Sequence, residues 1–117
     1  MTTRPEDLLP LSAVSFEILM TLADGECHGY HIMQDVEQRT GGAVTLHAGT
    51  LYRALARLLE QALIEELDER RERTDDERRR YYRLTKLGRG VAEAEAARLE
   101  QQVRHARARR LLRRQER

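Results

Sequence analysis

The chain has no tryptophan, one phenylalanine (Phe16), one cysteine (Cys27), two prolines and one lysine (Lys86) among its 117 residues. Each scarcity excludes something. With aromatics at only 4%, a cofactor pocket walled by aromatic rings is not expected within one copy, and no cofactor is assigned. A single cysteine cannot form an intramolecular disulfide and fits a reducing compartment. No apolar run approaches the roughly 20 residues of a membrane span. The opening "MTTRPEDLLPLSAVSFEILMTL" lacks the basic flank and long apolar core of a signal peptide. A cytoplasmic protein with no membrane partner is therefore expected. There is no Ser-His-acid order and no phosphate-cradling glycine loop, so no catalytic residue is assigned.

What the chain has is charge, unevenly placed. Residues 1–69 carry four arginines against 12 acids, a balance of −8. Residues 70–117 carry 17 arginines and lysines against eight acids, a balance of +9 that hides inside the overall +1. Such a split points to a polyanion partner or an exposed basic helix in the second half. Solvation of exposed helices is the plainer explanation of the same runs.

Periodicity then orders the elements. Ser12 precedes a helix in which Val14, Ile18 and Leu22 share a face, and Gly25 closes it. A second helix is predicted from Gly29 to Thr40, with Tyr30, Met33 and Val36 facing the core. Gly41-Gly42 ends it, and "AVTL" (43–46) is a minimal strand candidate. A third helix follows from Ala48 to Gln61. From Leu63 the period becomes alternating: Leu63, Glu65 and Leu67 share one strand face, Tyr82 and Leu84 another. The tip between these strands has no apolar residue and reads as a long exposed hairpin loop. Thr85 caps a last helix carrying the heptad-like stripe Ala92, Ala96, Leu99, Val103 and Ala106. With no core evidently left for it to cover, this stripe is the expected dimerisation surface.

The third helix carries the functional argument. At about 100° per residue, Leu51, Leu55 and Leu58 fall on one side, with Thr50, Arg53 and Arg57 roughly opposite. Such a helix sits on a core and offers a positive outer face. Three helices followed by a two-stranded hairpin make a winged helix-turn-helix: a mainly α fold with a small β wing, here extended by a long C-terminal helix. In that fold the third helix enters the DNA major groove. Arginine can grip guanine bidentately or clamp a phosphate, and Thr50 can bond a backbone oxygen. The wing brings Arg70, Arg71, Arg73, Arg78, Arg79 and Arg80 to the edge of the same surface.

The segments "CHGYHIMQDVEQRTGG", "HAGTLYRALARLLEQALIEE" and "RRYYRLTKLGRG" resemble the three signature blocks of PadR-type transcriptional regulators. The resemblance spans residues 9–91 and aligns at Tyr30, Tyr52 and Tyr82–Thr85. It implies a homodimeric repressor on a palindromic double-stranded DNA operator. The implied domains are a DNA-binding part (1–85) and a dimerisation helix with a basic tail (86–117), as in the family's shorter branch. Implied DNA contacts are His47, Gly49, Thr50, Tyr52, Arg53, Arg57, Arg71, Arg73, Arg79 and Arg80. Where family members often carry Ser-Pro before Gly-Thr, this chain has His47-Ala48. That leaves the first-turn cap to Thr45 or an incoming phosphate. Some shorter members hold drug-like aromatic ligands between aromatic side chains at the dimer interface. This chain has no aromatic residue after Tyr82, which argues against that ligand class and leaves the identity of a small-molecule effector open. The competing reading is a winged-helix adaptor whose basic tail docks an acidic protein.

Other candidates are weaker. Cys27, His28 and His31 lie close in sequence, but a closed zinc site wants four ligands, and only His47 and His105 remain. No metal is assigned. A redox role for Cys27 lacks a basic neighbour in sequence to lower its pKa. Tyr30 and Tyr82 are expected in the core, and Tyr52 at its border, within reach of a phosphate.

Overall fold

The computed structural model describes residues 3–67 and 80–113. After a single 3-10 turn at Pro5–Leu8 come α1 (Ala13–Ala23), β1 (Cys27–His28), α2 (Gly29–Arg39), α3 (Ala48–Glu60), β2 (Ile64–Leu67), β3 (Tyr81–Leu84) and α4 (Lys86–Ala108). The fold is mainly helical, with one small antiparallel sheet in the order β1-β3-β2.

The helix ends follow from local chemistry. The Ser12 hydroxyl accepts from the Ser15 amide at 3.0 Å and caps α1, and Thr85 does the same for α4 through the Gly88 amide at 2.9 Å. Such caps satisfy amides that have no partner within the helix. Gly25 (φ +138°) and Gly41 (φ +62°) take up positive φ after α1 and α2, where a Cβ would be strained. At the end of α3 the same left-handed position falls to Ala62 (φ +61°). There the Ala62 amide donates to Leu59 and the Leu63 amide to Leu58, both at 3.0 Å.

The core is one cluster. Ile18, Leu19 and Leu22 of α1, Ile32 and Val36 of α2, and Leu51, Leu55 and Leu58 of α3 meet Leu46, Leu63, Ile64, Tyr82 and Val91. The leucine stripe of α3 is fully buried, as its period predicts.

Three expectations need correction. Residues 43–46 form no strand; the first strand is Cys27–His28 instead, pairing with Tyr82 and Tyr81. The core face of the β2–β3 ladder is set by Ile64, Tyr82 and Leu84, because Leu63 is consumed in the turn that ends α3. Tyr30 is 57% exposed, since Ile32, two residues on and about 200° round the helix, takes the inward direction of α2.

The last helix also covers more of its own chain than its stripe suggested. Val91 is buried and Ala92 packs against the core cluster. Glu95 is 2% exposed and is gripped by Arg98 Nε and Nη2 at 2.9 and 2.7 Å. Those Arg98 bonds, with a further one from the Leu11 backbone, hold the carboxyl below its usual value against the cost of burial. The stripe beyond Ala92 lies on the open part of the helix.

Candidate nucleic-acid interface

The opening turns of α3 hold the site. Position His47 is the helix N-cap, extended at φ −86° and ψ 158°, yet its side chain makes no capping bond. Among the described residues neither Thr45 nor any other side chain caps this end, which leaves its first amides without a side-chain partner there. Gly49 follows, exposed, with Arg53 Nη1 3.6 Å from where a Cβ would stand. Arg53 therefore folds back along the first turn. Arg57 is exposed one turn further on, and Thr50, about one turn before Arg53, is half-buried. The amide ends and two guanidiniums make one positive surface, the arrangement that attracts phosphate.

Tyr52 ties this surface to α2. A Cβ on Gly29 would meet the Tyr52 hydroxyl at 2.8 Å and Leu51 Cδ2 at 3.4 Å, so the Tyr52 ring lies over the start of α2 and any side chain at position 29 would push its hydroxyl aside. Just before it, the His28 ring caps α2, its Nδ1 accepting from the His31 amide at 3.2 Å. Farther along α2, Arg39 binds Glu17, Thr21 and Asp35, and Thr21 donates to Asp35 at 2.7 Å. The Thr21 and Arg39 bonds lower the Asp35 pKa despite some burial. This network clamps α1 to α2 and so steadies the support on which α3 rests.

The wing stem, β2 and β3, carries two further arginines. Arg80 is exposed and lies 3.4 Å from Glu66 across the strands, and Arg83 pairs with Glu65 at 2.7 Å. Tyr82 is buried; its pKa is pushed up chiefly by burial and then by Glu66. Arg80 is thus partly engaged before any ligand arrives. Arg70, Arg71, Arg73, Arg78 and Arg79 lie outside the described residues.

His47, Gly49, Thr50, Tyr52 and Arg53 are brought together at the start of α3, with Arg57 beside them and Arg80 on the stem. Two supporting contacts escaped the sequence reading: the Gly29–Tyr52 approach and the His28 cap. The glycine before an aromatic in "HGY" was the available signal for the first. Cys27 is half-buried and its thiol is pushed up to about 11 by burial and by Asp35, so little thiolate forms near neutrality. Among the described residues no cluster of three or more His, Cys, Asp and Glu is placed to hold a metal ion, and no helix is long and apolar enough to cross a membrane.

Comparison with known proteins bears on the family and the fold. The model of the Transcriptional regulator PadR-like family matches residues 18–94. An uncharacterized 37.1 kDa protein in transposon TN4556 of Streptomyces fradiae is 42% identical over 79 residues. That alignment covers 68% of this chain but only 21% of the relative. A PadR family transcription regulator from Clostridium difficile R20291 superposes with a TM-score of 0.71 at 26% identity, covering 83% of this chain and 97% of that one. Bacillus subtilis PadR in complex with operator DNA shares the fold at a TM-score of 0.59 and 21% identity, over 77% of this chain and 48% of that one.

Proposed function

The chain belongs to the PadR-like family of transcriptional regulators, and on that premise we propose that it is a homodimeric repressor reading a palindromic operator through α3. One observation carries the reading. Leu51, Leu55 and Leu58 of α3 are buried, while its first turn, which no described side chain caps, and both Arg53 and Arg57 stand exposed. Buried leucines fix the helix rigidly, and the major groove is wide enough to admit it. Arg53 and Arg57 then read base edges. The His47 end, Gly49, Thr50 and Tyr52 hold the backbone phosphates that set its register.

Wing arginines Arg71, Arg73, Arg79 and Arg80 grip phosphate with little sequence preference. Arg80 exchanges Glu66 for DNA, a trade that costs little because exposed ion pairs contribute at most about 1 kcal/mol. Two-fold pairing through Leu99 and Val103, flanked by Ala92, Ala96 and Ala106, sets two α3 helices about 34 Å apart, one turn of DNA. The likeness to a PadR bound to operator DNA supports this reading at the level of fold.

Selection of bound duplexes from a random pool at two salt concentrations tests it. Enrichment of an inverted repeat that persists at the higher salt is expected. Uniform, salt-sensitive binding without enrichment would leave the arginines as phosphate contacts only and sink the reading.

A further inference from the structure

Arginines in this chain meet two different fates. Arg4, Arg39, Arg80, Arg83 and Arg98 stand in ion pairs with acids. Arg89 and Arg109 bond backbone carbonyls, of Ala23 at 3.2 Å and of His105 at 3.3 Å. Among the described residues, the guanidiniums left without such a partner gather in two places. Arg53 and Arg57 lie on the exposed side of α3. Arg104, Arg107, Arg110 and Arg113 lie at the far end of α4, all exposed, with no acid between Gln101 and Arg113.

Helix chemistry explains only part of this end. Cations in a last turn suit the helix dipole, which accounts for Arg107, and solvation is the ordinary fate of a charge run. Against that, Arg104 and Arg107 stand three residues apart on one helix face, where like charges repel. Arg110 and Arg113 lie past the last helical residue, Ala108. Arg110 is also held at φ +61°. Its amide there donates to the Arg107 carbonyl at 3.0 Å, and the Leu111 amide donates to Ala106 at 2.9 Å. Glycine takes such a left-handed closing position at no steric cost, as Gly41 does after α2. Here the position carries a strained residue and a charge instead. A local concentration of unneutralised cations, in a chain whose net charge is only +1, suits an anion from outside the chain.

Duplex DNA is the anion that fits best. The four cations are all arginine, whose planar fork matches phosphate oxygens bidentately. They share their state, exposed and without a carboxylate, with Arg53 and Arg57 of the proposed reading helix. Resting on the DNA binding proposed above, we propose that the end of α4 is a second DNA contact, in which Arg104, Arg107, Arg110 and Arg113 hold the phosphate backbone of a duplex whatever its sequence. Discrimination then comes from α3, and the end of α4 adds a hold that depends on salt and not on bases.

Binding of the full chain to the selected operator and to a scrambled duplex of equal length, across a salt series, tests the contact. Arg107→Gln, Arg113→Gln and Arg110→Gly should each weaken both duplexes alike, by about tenfold at about 0.1 M salt. Each should also make the log–log salt slope shallower by about one. Arg110→Gly should do this while raising the melting temperature, because glycine relieves the left-handed turn; a folding defect cannot produce both results. Variants that bind both duplexes with the parent's affinity and salt slope overturn the contact, even where the operator is still selected. Variants that keep the parent's DNA affinity but self-associate more weakly in sedimentation equilibrium overturn it too, and assign these arginines to acids of a second copy. A parent that selects no operator, yet loses affinity in these variants, sinks the sequence reading and leaves the contact standing.

Discussion

The Leu63 carbonyl presses directly on the Cα of Gly88: a Cβ on Gly88 would stand 1.9 Å from that oxygen. The same carbonyl accepts the Thr85 amide at 3.1 Å, and the Thr85 hydroxyl donates to Ala62 at 2.7 Å while accepting from Gly88. The turn that ends α3 is thereby locked to the turn that starts α4. The angle between the proposed reading helix and the proposed dimer helix is set at this joint.

Gly88→Ala should therefore destabilise the fold by about 3 kcal/mol, the upper range for forcing a methyl into packed surroundings. Because the obstacle is backbone, no rotamer change relieves it. Chemical denaturation of both proteins measures the difference, and a loss under about 1 kcal/mol would mean the joint gives way easily.

Ala62→Gly acts in the opposite sense. A left-handed Ala carries about 1–2 kcal/mol of strain, and the added freedom of glycine in the unfolded chain returns about 0.4–1 kcal/mol of that. A net gain of about 0.5 kcal/mol follows, visible as a melting temperature some 2–4 °C higher. A lower melting temperature would show that Ala62 is not strained.

Gly49→Ala separates stability from binding. No atom but the Arg53 guanidinium lies near its Cβ position, so alanine should strengthen the helix by roughly 0.5–1 kcal/mol. The methyl would stand where a phosphate must approach the first turn. Greater stability with weaker DNA binding is expected. Unchanged affinity would remove Gly49 from the contact surface.

Glu95 makes the fold pH-sensitive. Its folded pKa is depressed, so its contribution is complete above the unfolded carboxyl value of about 4.3 and disappears as pH falls through the folded value. Glu95→Gln should cost about 2 kcal/mol at neutral pH, the range for charged hydrogen bonds. It should also flatten the loss of stability below about pH 5. A variant with the parent's full acid dependence would place that sensitivity elsewhere, with Asp35 the next candidate.

The helices were legible because burial there follows period: Leu51, Leu55 and Leu58 mark the inner side of α3 by spacing alone, and Thr85 announces α4 by its hydroxyl. Contacts between distant backbones leave no such trace. Cys27–His28 becomes a strand only because β3 passes beside it, while residues 43–46, richer in strand-formers, find no partner. Tyr30 looked like core because aromatics usually are, but Ile32 has the inward direction. Gly29 and Gly88 read as glycines in helices, a local cost whose reason, Tyr52 in one case and Leu63 in the other, lies far along the chain. On the candidate site, side-chain types at the start of α3 were readable; the pairing of Arg80 with Glu66 was not.

The most direct measurement of the account is titration of Arg53→Ala and Arg57→Ala against the selected operator and a scrambled duplex, with helix content checked in parallel. Each arginine that reads a base should cost about 1–3 kcal/mol on the operator, relax preference at one base pair per half-site, and cost less on the scrambled duplex. If both folded variants bind the operator as tightly as the parent does, α3 is not the reading helix.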